Sequence, residues 1–130
     1  MHPFRAAAES GDHRALEALL ADDVVFTSPV AFKPYHGKPI TAAILRAVLR
    51  VFSDMRYVRE IGDPGGRDHA LIFEAKVGDL TLTGCDFLRQ DESGQIVDLT
   101  VMVRPLSAAQ ALAAAMAEEF DQVRREVAAD

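Results

Sequence analysis

Residues 80–104 read LTLTGCDFLRQDESGQIVDLTVMVR, and this stretch decides the fold. Two runs rich in apolar and β-branched residues flank the turn sequence Asp91–Gly94, a pattern that predicts a β-hairpin. Because successive side chains of a strand point to opposite sides, alternate residues of the first run share one face. That face consists of Leu80, Leu82, Gly84, Asp86 and Leu88. A lone acid on an apolar face costs free energy unless it has a partner or a role, so Asp86 is the first candidate site residue.

The composition indicates one soluble domain spanning residues 1–130. The chain is 49% hydrophobic and 26% charged, which is typical of a globular protein with a buried core. Its net charge of −6 argues against a nucleic-acid-binding surface. No apolar run approaches the roughly 20 residues of a membrane span. No secretion leader is recognisable, so we expect a cytoplasmic protein.

Four segments of the chain carry helical patterns. These are His2–Ser10, His13–Leu20, Thr41–Phe52 and residues 107–127. Asp12 is the expected N-cap of the second helix, and Ser107 with Gln110 matches a capping box for the last.

Strand patterns fill most of the remainder. They cover Val24–Thr27, Asp54–Ile61, His69–Val77, the run from Leu80, and Gln95–Arg104. The segment Ser28–Gly37 between them is expected to be a loop, unusually apolar because of Phe32 and Tyr35, that covers a cavity or packs on the core. The order predicts an α+β fold: a cone-shaped, curved antiparallel sheet with three N-terminal helices over its concave face and a C-terminal helix as an extension. Asp86 would then point into the cone.

This order, together with certain local motifs, resembles the nuclear-transport-factor-two-like superfamily, in particular its SnoaL-like branch and ketosteroid isomerase. The motifs are Gly11-Asp12, the run Leu20–Val24, the run His36–Ile40, and the run Asp86–Ile96 with its acid, strand and turn. The resemblance covers about Phe4 to Arg104 and implies a conical pocket in a protein that is often dimeric. Superfamily members include isomerases, cyclases, hydrolases and dehydratases, so the fold by itself does not indicate a reaction.

The resemblance to ketosteroid isomerase can be carried over residue by residue. It equates Asp86 with the protonated acid of the oxyanion hole. It equates Ser28 with the general-base aspartate and Phe4 with the oxyanion-hole tyrosine. A serine of ordinary pKa cannot take a proton from carbon, and phenylalanine has no hydroxyl to donate. The ketosteroid isomerase mechanism is therefore disfavoured, and the water-activating Asp-Arg-Asp set of epoxide hydrolases is not recognisable either.

The remaining candidate residues each have a structural alternative. His36 is a weak candidate base that could equally cap the third helix, and Tyr35 is a weak candidate hydroxyl donor. Asp86 could be a pocket acid of raised pKa, or a structural acid satisfied by Arg5, Tyr57 or a backbone amide. The expected ligand pocket consists of Phe4, Ser28, Phe32, Phe52, Met55, Tyr57, Phe73, Leu99 and Val101. We expect no cofactor and no metal, since no residue grouping has ligand spacing.

The outer face of the hairpin is small or apolar in character. It carries Thr81, Thr83, Cys85, Phe87, Thr100 and Met102. Such a face tends to mark an interaction surface, which predicts either a homodimer or cover by the C-terminal helix.

The sequence therefore leaves two functions open. The first is binding of a small, largely apolar molecule in the cone near Asp86, with or without cofactor-free lyase, isomerase or cyclase chemistry. The second is a non-catalytic dimerisation or binding module in which Asp86 is structural. A cavity of roughly 300 Å³ or more would favour the first, and a cone filled by side chains the second.

Overall fold

The computed structural model describes residues 1–129 and contains four helices in that range. Helix α1 spans Pro3–Ser10, α2 His13–Ala18, α3 Lys38–Val51 and α4 Leu106–Ala129. The side chain of Asp12 accepts a hydrogen bond from the Ala15 backbone amide at 3.1 Å, which confirms the expected N-cap of α2.

Six strands form one curved sheet. They are β1 (Leu20–Thr27), β2 (Tyr35–His36), β3 (Ser53–Ile61), β4 (Asp68–Val77), β5 (Leu80–Gln90) and β6 (Ile96–Arg104). Their order across the sheet is β2-β1-β6-β5-β4-β3. The hairpin of β5 and β6 therefore lies at the centre, and Asp86 pairs with Leu71 on one side and Val101 on the other. The α+β class and the curved sheet with helices at both ends of the chain are confirmed.

One strand pair departs from the antiparallel pattern. Strand β1 runs parallel to β6, while the other neighbours in the sheet pair antiparallel. A parallel neighbour requires a long crossover, and β2, α3 and the strands β3 to β5 supply it.

Several boundaries differ from the sequence expectations for tertiary reasons. Helix α2 ends at Ala18 instead of Leu20, because Leu20 enters the sheet opposite Ile96. Helix α3 begins at Lys38, ahead of Thr41, since a proline is well accommodated in a first helical turn. Helix α4 begins at Leu106, so Ser107 lies inside its first turn and is not the N-cap.

The core lies between the helices and the concave face of the sheet. On β5 the inward residues Leu82, Gly84, Asp86 and Leu88 are buried, as the alternation predicts. Leu80, at the edge of the same face, is exposed. Side chains from α1, α2 and α3 meet the sheet there, so the three N-terminal helices cover the concave face.

Helix α4 also packs on the concave side. Its Met116 reaches the interior between α3 and the sheet, and its Phe120 packs against Tyr35 with ring centroids 6.2 Å apart. The outer sheet face is therefore not covered by α4, and that alternative was wrong. Met102 is 59% exposed and Phe87 is 43% exposed on this face.

Candidate functional site

A small cavity, partly open to solvent, lies between the helices and the concave face of the sheet. Its volume is about 60 Å³, which is below the roughly 300–1,000 Å³ of most ligand pockets. In this conformation the side chains of the protein fill most of the cone. The lining residues are Phe4, Ala8, Leu16, Phe26, Ser28, Pro29, Ile44, Leu45, Val48, Leu49, Phe52, Met55, Tyr57, Phe73, Asp86, Val101 and Met116.

Asp86 is a buried acid in this apolar wall. It is only 4% exposed, and its Oδ2 accepts a hydrogen bond from the Tyr57 hydroxyl at 2.6 Å. No hydrogen bond to its other oxygen, Oδ1, is present among residues 1–129. Asp86 and Tyr57 are also the two titratable groups of the lining. The carboxyl group therefore has one fixed partner and one oxygen without a hydrogen-bond partner in the described chain.

Burial changes the acidity of both members of the pair. Loss of hydration raises the pKa of Asp86 to about 7, and the hydrogen bond from Tyr57 opposes part of that rise. Burial, followed by the neighbouring Asp86 carboxylate, raises the pKa of Tyr57 above its ordinary value. Near neutral pH Asp86 is thus divided between its neutral and ionised forms, while Tyr57 stays a hydrogen-bond donor. The expected rise in the pKa of Asp86 follows from the geometry.

A second set of contacts positions Tyr57. The Tyr57 backbone amide donates to Glu9 Oε2 at 2.8 Å, and Arg5 Nε donates to Glu9 Oε1 at 3.2 Å. Arg5 also contacts Glu60 at 2.9 Å, so it does not reach Asp86. Among the three partners that the sequence suggested for Asp86, the structure therefore provides Tyr57.

Phe73 packs where β5 has a glycine. A Cβ atom on Gly84 would lie 2.2 Å from Phe73 Cζ, far inside van der Waals contact. Phe73 and Gly84 are direct partners of the β4–β5 pair, so the ring lies over the backbone of Gly84. The ring also packs against Phe52 and Tyr57, with centroids 5.8 and 5.6 Å away. The glycine thereby lets an aromatic ring reach the cavity beside Asp86.

Most of the residues that the sequence suggested for the pocket line the cavity. The set contains Phe4, Ser28, Phe52, Met55, Tyr57, Phe73 and Val101. Ser28 and Phe4, the two positions that the resemblance to ketosteroid isomerase equated with catalytic groups, thus lie in the same wall as Asp86. The Ser28 hydroxyl oxygen accepts a hydrogen bond from the Val30 amide at 3.1 Å, so Ser28 also begins the turn that follows β1.

Four expected site residues lie elsewhere. Leu99 is fully buried beneath the cavity wall, and Phe32 is 97% exposed because its loop turns the ring to solvent. Tyr35 and His36 form the edge strand β2, where pairing with Phe26 and Val25 holds them outside the lining. Tyr35 packs between Phe26 and Phe120, which is the structural alternative considered for it.

The helices contribute lining residues that the sequence did not single out for the pocket. They are Ala8, Leu16, Ile44, Leu45, Val48, Leu49 and Met116, and Phe26 and Pro29 add to them from β1 and the loop after it. The residues from α3 lie on its apolar stripe, and a stripe has the same spacing whether it meets a packed core or a cavity. No signal in the sequence separates the two cases.

Two further features concern residues 1–129 as a whole. Within this range no three His, Cys, Asp or Glu side chains cluster in a way that could hold a metal ion. None of the helices in the same range combines the length and apolar composition that crossing a lipid bilayer requires.

Comparison with known proteins places the fold in a family. The chain is similar to a steroid delta-isomerase from Pseudomonas aeruginosa, with 42% identity, 92% of this chain and 87% of that chain covered, and a TM-score of 0.85. It is also similar to an uncharacterized protein with a cystatin-like fold from Silicibacter pomeroyi, with 36% identity, coverage of 95% and 91%, and a TM-score of 0.85.

More distant structures share the fold. An NTF2-like protein of unknown function from Cytophaga hutchinsonii is 18% identical, with 79% of this chain and 85% of that chain covered and a TM-score of 0.61. No protein with a curated description matches the sequence. The family model of the SnoaL-like domain matches residues 2–99, which is more than half of the chain. The chain therefore belongs to the SnoaL-like domain family.

Proposed function

We propose that this protein binds a small, largely apolar molecule with a carbonyl or similar hydrogen-bond acceptor, and holds that acceptor against Asp86. The observation that carries this proposal is the buried Tyr57–Asp86 pair, with its 2.6 Å hydrogen bond, in a wall that is otherwise apolar except for Ser28. In its neutral form Asp86 can donate a hydrogen bond from Oδ1 while Oδ2 accepts from Tyr57. The molecule bound there would therefore be oriented by one polar contact and held by apolar ones.

The same arrangement supports cofactor-free chemistry on a carbonyl compound. A neutral acid in an apolar wall stabilises negative charge that develops on a carbonyl oxygen, because donors in a dry site need no reorganisation. Such stabilisation would accelerate lyase, isomerase and cyclase reactions that pass through an enolate. Asp86, with a pKa of about 7, is also suited to take or give a proton near neutral pH.

Two-carboxylate ketosteroid isomerisation remains disfavoured for this chain. The Pseudomonas aeruginosa protein that is 42% identical is described as a steroid delta-isomerase, which makes the reaction worth testing. However, among residues 1–129 the lining contains no second carboxylate besides Asp86. The position of the separate base is occupied by Ser28, and the position of the second hydrogen-bond donor by Phe4. Neither residue can perform the corresponding role. An isomerase built on this site would rely on Asp86 alone.

The small volume of the cavity favours a second candidate function. At about 60 Å³ the cone is filled well enough to serve as the core of a non-catalytic module, in which the hydrogen bond from Tyr57 would give Asp86 a structural role. The interaction surface of that module would be the outer sheet face around Phe87 and Met102, joined to a second copy of the chain. A homodimer is compatible with either function, and a cytoplasmic location stays a prediction from the sequence.

Binding of the fluorescent naphthyl ketone prodan tests the first function against the second. The wild-type protein should bind prodan most tightly below about pH 7 and release it above, because only neutral Asp86 donates to the ketone. Asp86→Asn keeps a donor but cannot titrate, so its affinity should be independent of pH. Asp86→Leu removes the donor and should weaken binding by about tenfold or more.

Tyr57→Phe supplies an independent control on the same pair. The hydrogen bond from Tyr57 lowers the pKa of Asp86, so its loss should move the pH at which prodan is released upward. Equal binding by wild type and Asp86→Leu at every pH would show that Asp86 does not contact the ligand. Absence of binding by any form would favour the non-catalytic module.

A further inference from the structure

A surface groove lies next to the Asp86 cavity. A groove of about 250 Å³ lies between the C-terminal ends of α1 and α3 and the start of β3. Four residues line both the cavity and the groove, namely Ala8, Leu49, Phe52 and Met55. A single layer of side chains therefore separates the Asp86 compartment from the surface at this point. This layer is therefore a candidate route by which a ligand larger than the cavity reaches Asp86.

Two of these four side chains are suited to move. Ala8 carries only a methyl group, whose rotation opens no space, and the backbone of Leu49 is held within α3. Phe52 is the residue that joins α3 to β3, Met55 is the third residue of β3, and both are partly exposed. Methionine has three rotatable bonds and adapts readily to different partners. Rotation of Phe52 and Met55 outward would join the cavity to the groove.

The start of β3 contains an unusual backbone residue, at a point where the pairing with β4 shifts register between Ser53 and Arg56. Asp54 has a φ of 52°, the single positive value among the non-glycine residues described. A residue other than glycine in the left-handed region costs roughly 1 kcal/mol or more, and such residues cluster at functional sites and switch regions. Ser53 and Asp54 separate Phe52 from Met55 in the chain. The irregular backbone of β3 therefore lies next to both side chains.

The groove carries polar groups at its outer end. Glu9, Ser10 and Gly11 line it there, and the Glu9 side chain is 26% exposed. The Glu9 carboxylate accepts from the amide of Tyr57, whose hydroxyl contacts Asp86. One residue of β3 thereby links the groove to the buried acid. Both Glu9 oxygens already have partners, since Oε1 accepts from Arg5 and Oε2 from the Tyr57 amide, so the rim is polar but its acidic charge is paired.

We propose that Phe52 and Met55 form the gate of the ligand site, and that the bound ligand spans the cavity and the groove. The ligand class is an elongated apolar carbonyl compound with its acceptor at Asp86 and a neutral end in the groove beside Glu9 and Ser10. This inference rests on the proposed binding function and adds the route and the second compartment. It also reconciles a cavity of about 60 Å³ with a ligand-sized site, because the groove supplies the missing space.

Stopped-flow association of prodan tests the gate. Phe52→Ala and Met55→Ala should each speed association by about tenfold, since binding that requires a conformational change is slow. Phe32→Ala is the matched control, because Phe32 is 97% exposed on the loop after β1 and should leave the rate unchanged. An increase with Phe32→Ala and none with the gate variants would place the entrance at that loop and overturn the gate. Circular dichroism on each variant verifies folding. If Phe52→Ala unfolds, Met55→Ala still tests the gate, because it removes a smaller side chain.

A blocked groove tests the second compartment. Ser10→Trp should fill the groove, weaken binding of the longer ketone prodan by about tenfold or more, and leave the shorter ketone acetophenone unaffected. Equal binding of prodan by Ser10→Trp and wild type would overturn the spanning ligand while leaving the Asp86 site intact. If neither ketone binds the wild-type protein, the proposed function fails first and the gate with it. These outcomes separate the failure of the inference from the failure of the function.

Discussion

At the scale of single residues, the site depends on the balance between burial and hydrogen bonding at Asp86. Removal from water favours the neutral acid, and the bond from Tyr57 favours the carboxylate. Burial has the larger effect, so the folded protein binds a proton that the unfolded chain releases at a lower pH. The stability of the protein must therefore depend on the protonation of this one group.

The free energy of unfolding should record this dependence. Asp86 has a pKa of about 7 when folded and 3.8 as its reference value, so between these values the folded state holds more protons. The contribution of Asp86 to stability should therefore fall as the pH rises from about 4 to about 7, by about 1.4 kcal/mol for each unit of pKa difference. Above pH 7 it should be constant.

Asp86→Asn provides the reference for this measurement. Other groups titrate in the same range, among them His2, whose pKa is lowered first by burial. Urea unfolding of wild type and Asp86→Asn at each pH cancels their contributions. A difference between the two proteins that stays flat from pH 4 to pH 7 would contradict the raised pKa of Asp86.

Ser28 and Phe4 offer a gain-of-function experiment. Ser28→Asp with Phe4→Tyr adds a base and a second donor to the wall that already holds Asp86. We expect the double variant to convert a β,γ-unsaturated ketosteroid to its conjugated isomer at least about 100-fold faster than wild type, the usual gain from a positioned base. Ultraviolet absorbance of the conjugated product follows the reaction. The matched control is Ser28→Asn with Phe4→Tyr, which has no added base; equal rates in the two variants would argue against Ser28 as a position for a base.

At the scale of secondary structure elements, β5 combines a glycine and an acid on its inward face. The glycine admits the Phe73 ring from β4, and the acid lies two residues further along the same face. The strand therefore shapes the cavity by the absence of one side chain as well as by the presence of another. Helices close the other sides, and α4 completes the wall with Met116.

Gly84→Ala should disturb the cavity directly. The new methyl group would overlap the Phe73 ring, whose displacement towards Phe52 and Tyr57 should cost about 1–3 kcal/mol in the free energy of unfolding. Chemical denaturation measures this cost. Gly78→Ala is the control for glycine loss: Gly78 has open space around it but a φ of 58°, so it tests backbone strain without a clash. Adding Phe73→Leu to Gly84→Ala should restore the lost free energy of unfolding. A double variant that stays as unstable as Gly84→Ala would contradict the clash.

Arg46 joins three helices at the back of the cavity. Its guanidinium contacts Glu17 of α2 and Glu126 of α4, and the three side chains are 18%, 22% and 21% exposed. Arg46→Ala should lower stability by about 1–2 kcal/mol, since charged hydrogen bonds are lost at partly buried groups. Thermal denaturation measures the change. Arg124→Ala removes a mostly exposed ion pair with Asp121 on α4 and should have little effect; equal losses in the two variants would refute the bridging role of Arg46.

At the scale of the whole molecule, the two faces of the sheet have different environments. The concave face is covered by the four helices, whereas the outer face leaves Phe87 and Met102 exposed and Cys85 partly exposed in the part of the chain that the structure describes. Burial raises the pKa of the partly buried Cys85 thiol, so this cysteine is poorly suited to reactions that need a thiolate. The surface is better suited to an interface.

The oligomeric state tests that interpretation. We expect a dimer at micromolar concentration, and Thr83→Lys should shift it towards monomer, because each copy would bring an unpaired charge into an apolar contact. Light scattering coupled to size exclusion measures the mass. Phe32→Lys, which places the same charge on the exposed loop, is the control and should remain dimeric. A monomeric wild-type protein would eliminate the dimer.

The sequence by itself determined the class of fold and the most informative residue. Alternation along β5 and β6 depends only on strand geometry, so Asp86 could be assigned to the inward face before any contact was known. The stripe of α3 and the N-cap at Asp12 are equally local. The parallel pairing of β1 with β6 could not be read in this way, because it brings together segments far apart in the chain.

Only the tertiary structure decided which partner Asp86 has and how much space surrounds it. Tyr57, Arg5 and a backbone amide were equally plausible partners in sequence, and the fold brings the Tyr57 hydroxyl within 2.6 Å. The cavity, its neighbouring groove and the contribution of Met116 depend on how side chains from six or more elements fill one volume. Spacing along a chain specifies which face a residue occupies, whereas packing between elements specifies what that face meets.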